Sequence, residues 1–390
     1  MNDMATDINE LLTRSVEKVF PSRDEAEKIL TAGKPLRVYW GIDPTGSELH
    51  VGHTVALFFL KRLMALGHKA IFLIGDFTAR IGDPTDKEAT RKQLTPEETK
   101  ANMATYLEQV GSILPLDQVE VRYNSEWWEG MSIQKFEEIK SAVTVQQLLA
   151  RDMFQKRMTE GKPISAQELD YPLLQGYDTV ALDADGEVGG NDQTFNMLVG
   201  RDLLKRFKQR EKIVFTLKLL VDPATGKKMS KTEGTLVALT ATPENMFGGI
   251  MAFSDGMIES AFEMVTEVSS ERREEIKNRL AQGENPKNLK MELAHEIVRQ
   301  YHGAKAADTA QEEFTRVFSK GGVPEHMPEG VAGDDVAGTM AMHFGISNSE
   351  AHRKIREGAV SVNGKTVTDP KERAKPGDIL RAGRKFLKIV

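Results

Sequence analysis

Three apolar runs stand out along the chain: Leu36 to Ile42, Ala70 to Gly75 and Ile213 to Leu220. Each is short, lacks polar alternation and is bounded by turn formers, the pattern of a strand buried on both faces of a parallel sheet. Helical patterns separate them, so the sequence predicts an α/β fold. The first run ends in the turn Asp43-Pro44-Thr45-Gly46 and leads to a helix from about Gly52, with Val55, Phe58, Phe59 and Leu63 on one side. Pro96 to about Leu169 reads as mainly helical, with Phe136, Ile139, Val143, Val145, Leu148 and Leu149 as an apolar stripe. Tyr171, Gln175 and Asp178 then fall at i, i+4 and i+7 on one helix face, with Pro172 suited to a first turn.

After Thr232 the pattern turns acidic and helical, through Pro243 to Phe247, Ser270 to Glu275 and Lys287 to Tyr301, and predicts a helical domain over 236–320. Gly321 to Gly333 reads as a glycine- and proline-rich linker, with a small α/β module from about Val336. In that module Ser347 or Ser349 is placed to cap a helix carrying Arg353, Lys354 and Arg356. Asn363-Gly364 is placed to close a hairpin between Val360 to Val362 and Thr366 to Thr368.

Composition narrows the function. The chain has 390 residues, 40% of them hydrophobic, enough for two or three domains. It has no cysteine, which excludes disulfides, thiolate zinc sites and thiol nucleophiles. No apolar run approaches a membrane span and the N-terminus lacks a signal pattern, so a cytoplasmic enzyme is expected. The net charge of −6 is unevenly placed: Ala351 to Val390 holds 11 Lys or Arg against 4 Asp or Glu, leaving +7 there and −13 before it. The basic end is the expected RNA contact.

The candidate chemistry sits where the predicted strands end. Leu49-His50-Val51-Gly52-His53 follows the first run, and Lys228-Met229-Ser230-Lys231-Thr232 follows the third in a glycine-flanked loop. A helix start offers free backbone N–H groups and a positive dipole end to phosphate. His50 and His53 add donors, and Gly52 leaves space for a flat base against the backbone. Lys228 and Lys231 would bring cations from the separate loop. Either motif alone is common on protein surfaces; their joint occurrence in order points to attack on the α-phosphate of ATP with charge gathering on the departing pyrophosphate. No G-x-G-x-x-G is present, so a dehydrogenase-type dinucleotide site has no support.

These residues resemble the two signatures, HIGH and KMSKS, of class I aminoacyl-tRNA synthetases. Within that class the chain is similar to the bacterial tyrosyl-tRNA synthetases. The resemblance rests on Tyr39-Trp40-Gly41-Ile42-Asp43-Pro44-Thr45, Ile81-Gly82-Asp83-Pro84, Tyr171 to Asp178, Gly189-Gly190-Asn191-Asp192-Gln193, and a C-terminal segment, Ser347 to Lys365, that resembles an S4 domain. It implies a Rossmann-like parallel sheet catalytic domain over 1–235 with a helical insertion at about 96–169, part of it the contact of a symmetric homodimer. An α-helical domain facing the anticodon stem and an S4-like RNA-binding domain over 336–390 would follow.

The resemblance also implies residue roles. Tyr39 and Asp178 would bind the phenol of tyrosine, one donating and one accepting, with Thr78, Asp83, Tyr171, Gln175 and Gln193 around the rest of the amino acid. Gly41, Asp43, Gly190 and Asp192 would bind the adenosine part of ATP. Thr45, His50 and His53 would hold its phosphates, with Lys87, Arg91, Lys228, Met229, Ser230, Lys231 and Thr232 closing on them. Mg²⁺ is expected to arrive with ATP; no protein metal site and no prosthetic group are expected. Tyrosine, ATP and the tyrosine tRNA are the implied partners. Tryptophanyl-tRNA synthetases share the fold, but Tyr39 and Asp178 favour a phenol over an indole. Nucleotidylyltransferases with H-x-G-H are typically shorter. A non-enzymatic RNA-binding protein on the same scaffold would be expected to lack the histidines and lysines. Trp40, Ile42 and Thr194-Phe195 depart from the commoner family pattern and bear on the pocket lining.

Overall fold

A computed structural model describes residues 2–85, 94–226, 236–319, 322–324, 327–383 and 385–390. It divides into two compact units, Met1–Ala307 and Asp308–Val390.

The first unit is built on a six-stranded sheet of β1 (Val16–Phe20), β2 (Arg37–Ile42), β3 (Lys69–Ile74), β4 (Glu120–Tyr123), β5 (Gly186–Gly190) and β6 (Ile213–Leu217), in the order β1-β6-β5-β2-β3-β4. All neighbours are parallel except β1, which runs antiparallel to β6. The connections from β2 lead outward through β3 to β4, whereas β5 and β6 build the other side. The strand order thus reverses between β2 and β5, the place where open α/β sheets leave a crevice at the carboxyl ends of their strands.

The three apolar runs form β2, β3 and β6. β1, β4 and β5 join them, with β1 antiparallel at one edge. The stretch 96–169 is not all helix: β4 lies within it and extends the sheet beside β3, its side chains half-buried because it is an edge. Helix Thr54–Ala65 buries every residue from Thr54 to Leu60 as well as Leu63, so its apolar face is wider than one side. Pro172 is not in a first turn. Helix Ala166–Leu182 starts six residues earlier at a Ser165–Glu168 capping box and carries the buried proline in its interior. Proline has no N–H for the i−4 carbonyl; the packing of the helix against Thr194–Lys208 offsets that loss. The two helices cross at glycines: a Cβ on Gly176 would lie 3.0 Å from the Gly200 nitrogen.

Helices Pro243–Met251, Ile258–Val265, Ser270–Ala281 and Pro286–His302 belong to the same unit as the sheet. Buried Arg14 ties the N-terminal segment to them, donating to the carbonyls of Glu263, Thr266 and Val268.

The second unit pairs helices Val336–Phe344 and Asn348–Arg356 with a sheet of order β7-β11-β10-β8-β9, namely β7 (Glu329–Gly330), β8 (Val360–Val362), β9 (Lys365–Thr366), β10 (Ile379–Ala382) and β11 (Lys385–Ile389). Its core gathers Val336, Met340, Ile355, Leu380 and Leu387. Ser347 provides the cap, accepting from Glu350 N. Asn363 (φ 50°) and Gly364 (φ 79°) make the tight turn between β8 and β9, as the Asn-Gly pair requires. The stretch read as a linker is partly a strand, since β7 pairs with β11.

Candidate active site

Strand β2 runs into the turn at Asp43, and the turn is held from outside by the end of helix Pro96–Met103 and the start of helix Tyr106–Gly111, with Thr105 between them. Asn102 donates to Pro44 O, Thr105 and Gln109 to Ser47 O, and Tyr106 to Gly46 O, while Gln109 Oε1 accepts from Leu49 N at 2.7 Å. These side chains satisfy backbone groups that have no sheet or helix partner there.

The turn delivers His50 and His53 to the start of helix Thr54–Ala65. Their rings stack with centroids 3.7 Å apart. His50 Nδ1 accepts from Gly52 N (3.1 Å), and His53 Nδ1 accepts from His50 N (3.2 Å), which leaves Nε2 of each as the protonated, donating nitrogen. Burial, and then the neighbouring His50, push the His53 pKa well below the ordinary histidine value, so the imidazole is neutral. Gly52 is needed by His50 itself, because a Cβ would lie 3.0 Å from the ring. The turn also pairs with the segment that follows the second signature: Val51 N donates to Val237 O, and Leu239 N to Leu49 O.

Beside the turn lies a cavity of about 700 Å³. Its walls include Gly41, Asp43, Thr45, His50, Gly52 and His53 from the turn side. Tyr171, Gln175 and Asp178 come from one helix face, and Gly190, Asp192 and Gln193 from the end of β5. Tyr39, Thr78 and Asp83 complete it. A Cβ at Gly41 would rest against Leu73 at 3.6 Å, an ordinary contact, so the protein itself does not require glycine there. At Gly190 a Cβ would lie 2.5 Å from Asp192 Oδ1. Gly75, which the sequence did not single out, is the most constrained, with a Cβ only 2.1 Å from Asp43 Oδ1.

The polar side chains form three groups. Asp43 accepts from Thr78 Oγ1 (2.7 Å) and from the Tyr171 hydroxyl (2.8 Å). Gln193 Nε2 donates to Asp83 Oδ2 at 2.7 Å, and Asn196 Nδ2 joins the Gln193 and Gln175 oxygens. Asp178, at the buried end, accepts from Trp127 Nε1 (2.9 Å), Trp128 Nε1 (3.0 Å) and Asn124 Nδ2 (3.3 Å). Burial pushes its pKa up to about 8, with these three donors pulling the other way. Tyr39 and Asp178 do not hydrogen-bond each other. The Tyr39 hydroxyl lies 2.8 Å from Thr179 Oγ1, and that oxygen also accepts from the fully buried Lys212 (2.8 Å), which pairs with Glu187.

Asn124, Trp127, Trp128, Thr179, Glu187 and Lys212 were not read from the sequence as site residues. The signal for the first three was their position directly after a strand, which was itself missed. Lys87, Arg91, Lys228, Met229, Ser230, Lys231 and Thr232 lie outside the described residues. Arg353 and Arg356 are exposed on helix Asn348–Arg356 of the second unit, with Lys354 half-buried; Arg353 pairs with Glu357 at 3.0 Å and Lys354 lies 3.6 Å from Glu350.

The family of tRNA synthetases class I (W and Y) matches residues 31–319, and the S4 domain matches residues 340–380. The chain is 40% identical over 397 residues to the tyrosine–tRNA ligase of Dehalococcoides mccartyi, covering 100% of both chains. It is 41% identical to that of Moorella thermoacetica, covering 97% of this chain and 94% of the relative. The solved structure of a C-terminally truncated Aspergillus nidulans mitochondrial tyrosyl-tRNA synthetase shares the fold, with TM-score 0.68 and 24% identity over 80% of this chain and 94% of its own. Likeness that runs from one end of both chains to the other, through the signature turn and the tail alike, carries one conclusion: this chain belongs to the tyrosyl branch of the class I aminoacyl-tRNA synthetases.

Proposed function

We propose a division of labour within the cavity for the tyrosine–tRNA ligase reaction, in which tyrosine and ATP give tyrosyl-adenylate and pyrophosphate, and the tyrosyl group passes to tRNA. The observation that supports it is the placement of buried Asp178 at one end of the cavity and the stacked histidines at the other. The phenol of tyrosine meets Asp178 and Tyr39, and the ammonium meets oxygens of Tyr171, Gln175 and Asp83. Gln193 faces the carboxylate region, and Thr78 holds Asp43 in place.

No protein nucleophile takes part. The tyrosine carboxylate attacks the α-phosphate, the bond to the β-phosphate breaks, and negative charge builds on the leaving pyrophosphate. The Nε2–H groups of His50 and His53 donate to that charge from a fixed position, with Thr45 beside them. Gly41, Asp43, Gly190 and Asp192 cradle adenosine, Gly52 holds His50, and Lys87, Arg91 and the Lys228 to Thr232 segment supply the remaining contacts. Mg²⁺ enters as the ATP complex; the described residues offer no cluster of three acidic or histidine side chains to hold it, and no step is assigned to it.

The tail binds the tRNA through Arg353, Lys354 and Arg356, whose charge suits backbone phosphates. The insertion carries exposed Ile133, Val145 and Met158, apolar side chains that a second copy would cover in a homodimer. No helix among the described residues is long and apolar enough to cross a membrane, in keeping with work in the cytoplasm. ATP–pyrophosphate exchange with each standard amino acid tests the core of this reading. Tyrosine is expected to support exchange and tryptophan not; stronger exchange with tryptophan would refute it.

A further inference from the structure

Lys212 has no part in the reaction as described, yet the fold makes a place for it. Tyr39 pairs in register with Glu187 across β2 and β5, and Glu187 with Val214 across β5 and β6. Lys212 stands two residues before Val214, so Tyr39, Glu187 and Lys212 fall on one sheet face. Helices Ala166–Leu182 and Thr194–Lys208 contribute Thr179 and Gly200 to the same spot. A Cβ on Gly200 would lie 2.6 Å from Lys212 Nζ and 2.9 Å from Thr179 Oγ1, so the glycine keeps the slot open for this ammonium. Lys212 is fully buried, with its charge matched by Glu187, which also accepts from Gln175 Nε2 at 3.1 Å.

Counting protons fixes the direction of the chain of contacts. An ammonium can only donate, so Thr179 Oγ1 receives a proton from Lys212. Among the described residues the only other side-chain partner of Thr179 is the Tyr39 hydroxyl. If Tyr39 donated to Thr179, the Thr179 hydrogen would be buried with no acceptor, at the cost of an unmade hydrogen bond. Thr179 therefore donates to Tyr39, and the phenolic hydrogen of Tyr39 is left for another acceptor. Glu187 is close enough to raise the Tyr39 pKa both by its charge and as an acceptor, so in the ligand-free site the phenolic hydrogen is turned towards this carboxylate, from which a bound phenol would draw it. Tyr39 and Glu187 both line the cavity.

We propose that Lys212 is a positioning residue for tyrosine recognition: by donating to Thr179 it makes Thr179 a donor to Tyr39, and so presents Tyr39 to the substrate phenol as a donor. This rests on the reading that Tyr39 meets the phenol. A phenol has one hydrogen, which goes to Asp178; its oxygen then requires a donor, and the Lys212–Thr179–Tyr39 order supplies one. Phenylalanine has no oxygen to receive that hydrogen bond.

The test is ATP–pyrophosphate exchange with tyrosine and with phenylalanine on Lys212→Met, Thr179→Val, Thr179→Ser and Tyr39→Phe, after thermal unfolding has shown which are folded. Thr179→Val keeps the buried ion pair, so it covers the case in which Lys212→Met fails to fold. Thr179→Val and Lys212→Met are expected to raise the tyrosine KM about tenfold with kcat little changed, and to lower tyrosine-over-phenylalanine selectivity by a similar factor. Thr179→Ser, which keeps the hydroxyl, should restore both. Selectivity lost in Tyr39→Phe but kept in Thr179→Val would overturn the role of Lys212 alone. Selectivity kept in Tyr39→Phe would remove the phenol reading and this proposal with it. A fall in kcat shared by both amino acids, with selectivity intact, would show that Lys212 and Thr179 serve only the fold.

Discussion

The two ends of the cavity are built on opposite principles. At the Asp178 end nearly every polar group already has a protein partner: two indoles and an amide on one carboxylate, and a lysine, a threonine and a tyrosine in series beside it. At the histidine end backbone N–H groups hold the Nδ1 atoms of two stacked rings, which fixes Nε2 as the protonated nitrogen of each. A site that must recognise a ground-state hydroxyl gains from groups fixed in number and direction. A site that must meet charge appearing only during reaction gains from donors whose direction is set before that charge appears.

That contrast breaks first at the histidines. His53→Ala is expected to slow adenylate formation by about 10²- to 10³-fold while tyrosine affinity changes little, measured by pre-steady-state adenylate formation and equilibrium binding. An equal loss of tyrosine affinity would mean that the two ends are not separate.

The Asp178 end should respond in affinity and stability. Asp178→Asn is expected to cost tyrosine-over-phenylalanine selectivity by at least about tenfold, because the phenol loses a charged acceptor. The ligand-free variant should nevertheless melt higher at pH 8. A carboxyl raised from the ordinary range to about 8 holds a proton in the native state that the unfolded chain has lost, so wild-type stability declines as pH rises from about 4 towards 8. The amide escapes that decline. Equal melting temperatures at pH 8 would place Asp178 in a wetter setting than its burial indicates.

The same group predicts a pH effect. Between pH 7 and 9 Asp178 passes from mostly protonated to mostly ionised, and becomes the acceptor a phenol needs and a phenyl ring cannot satisfy. Selectivity should rise several-fold, up to about tenfold, over that interval; the ratio cancels ionisation of the amino acid's own ammonium. A flat ratio would show that Asp178 is already charged at pH 7.

The smallest effect is expected from the tail. Both ends of the cavity lie in the first unit. Removal of 336–390 should leave tyrosine-dependent exchange within about twofold, while RNA affinity falls and its salt dependence flattens because fewer phosphates are neutralised. Loss of exchange by a folded truncated protein would tie the tail to the cavity.

The sequence disclosed the cavity's residue types far better than their partners. β2, β3 and β6 were legible because strands buried on both faces read as unbroken apolar runs. β5 was not: Gly186-Glu187-Val188-Gly189-Gly190 has low strand propensity and a charge that is tolerable only because Lys212, distant in sequence, comes to it. β4 was hidden by its alternation at a half-buried edge. Residues of the signature turn and of the i, i+4, i+7 helix face reach the cavity wall as their spacing implies, since those placements are local. The Asn124–Asp178 and Thr179–Tyr39 contacts span strands and helices that only the fold brings together, so no spacing along the chain announces them.

The chain has three tryptophans. Trp127 and Trp128 give their indole N–H groups to Asp178, and Trp40 lines the same cavity with its ring centred 6.3 Å from that of His53. The ultraviolet emission of this protein is therefore light from its active site, with two fluorophores reading the amino-acid end and one the phosphate end. Ionisation of Asp178, arrival of tyrosine and arrival of ATP each alter the field around an indole, so the site carries its own optical probes without a label.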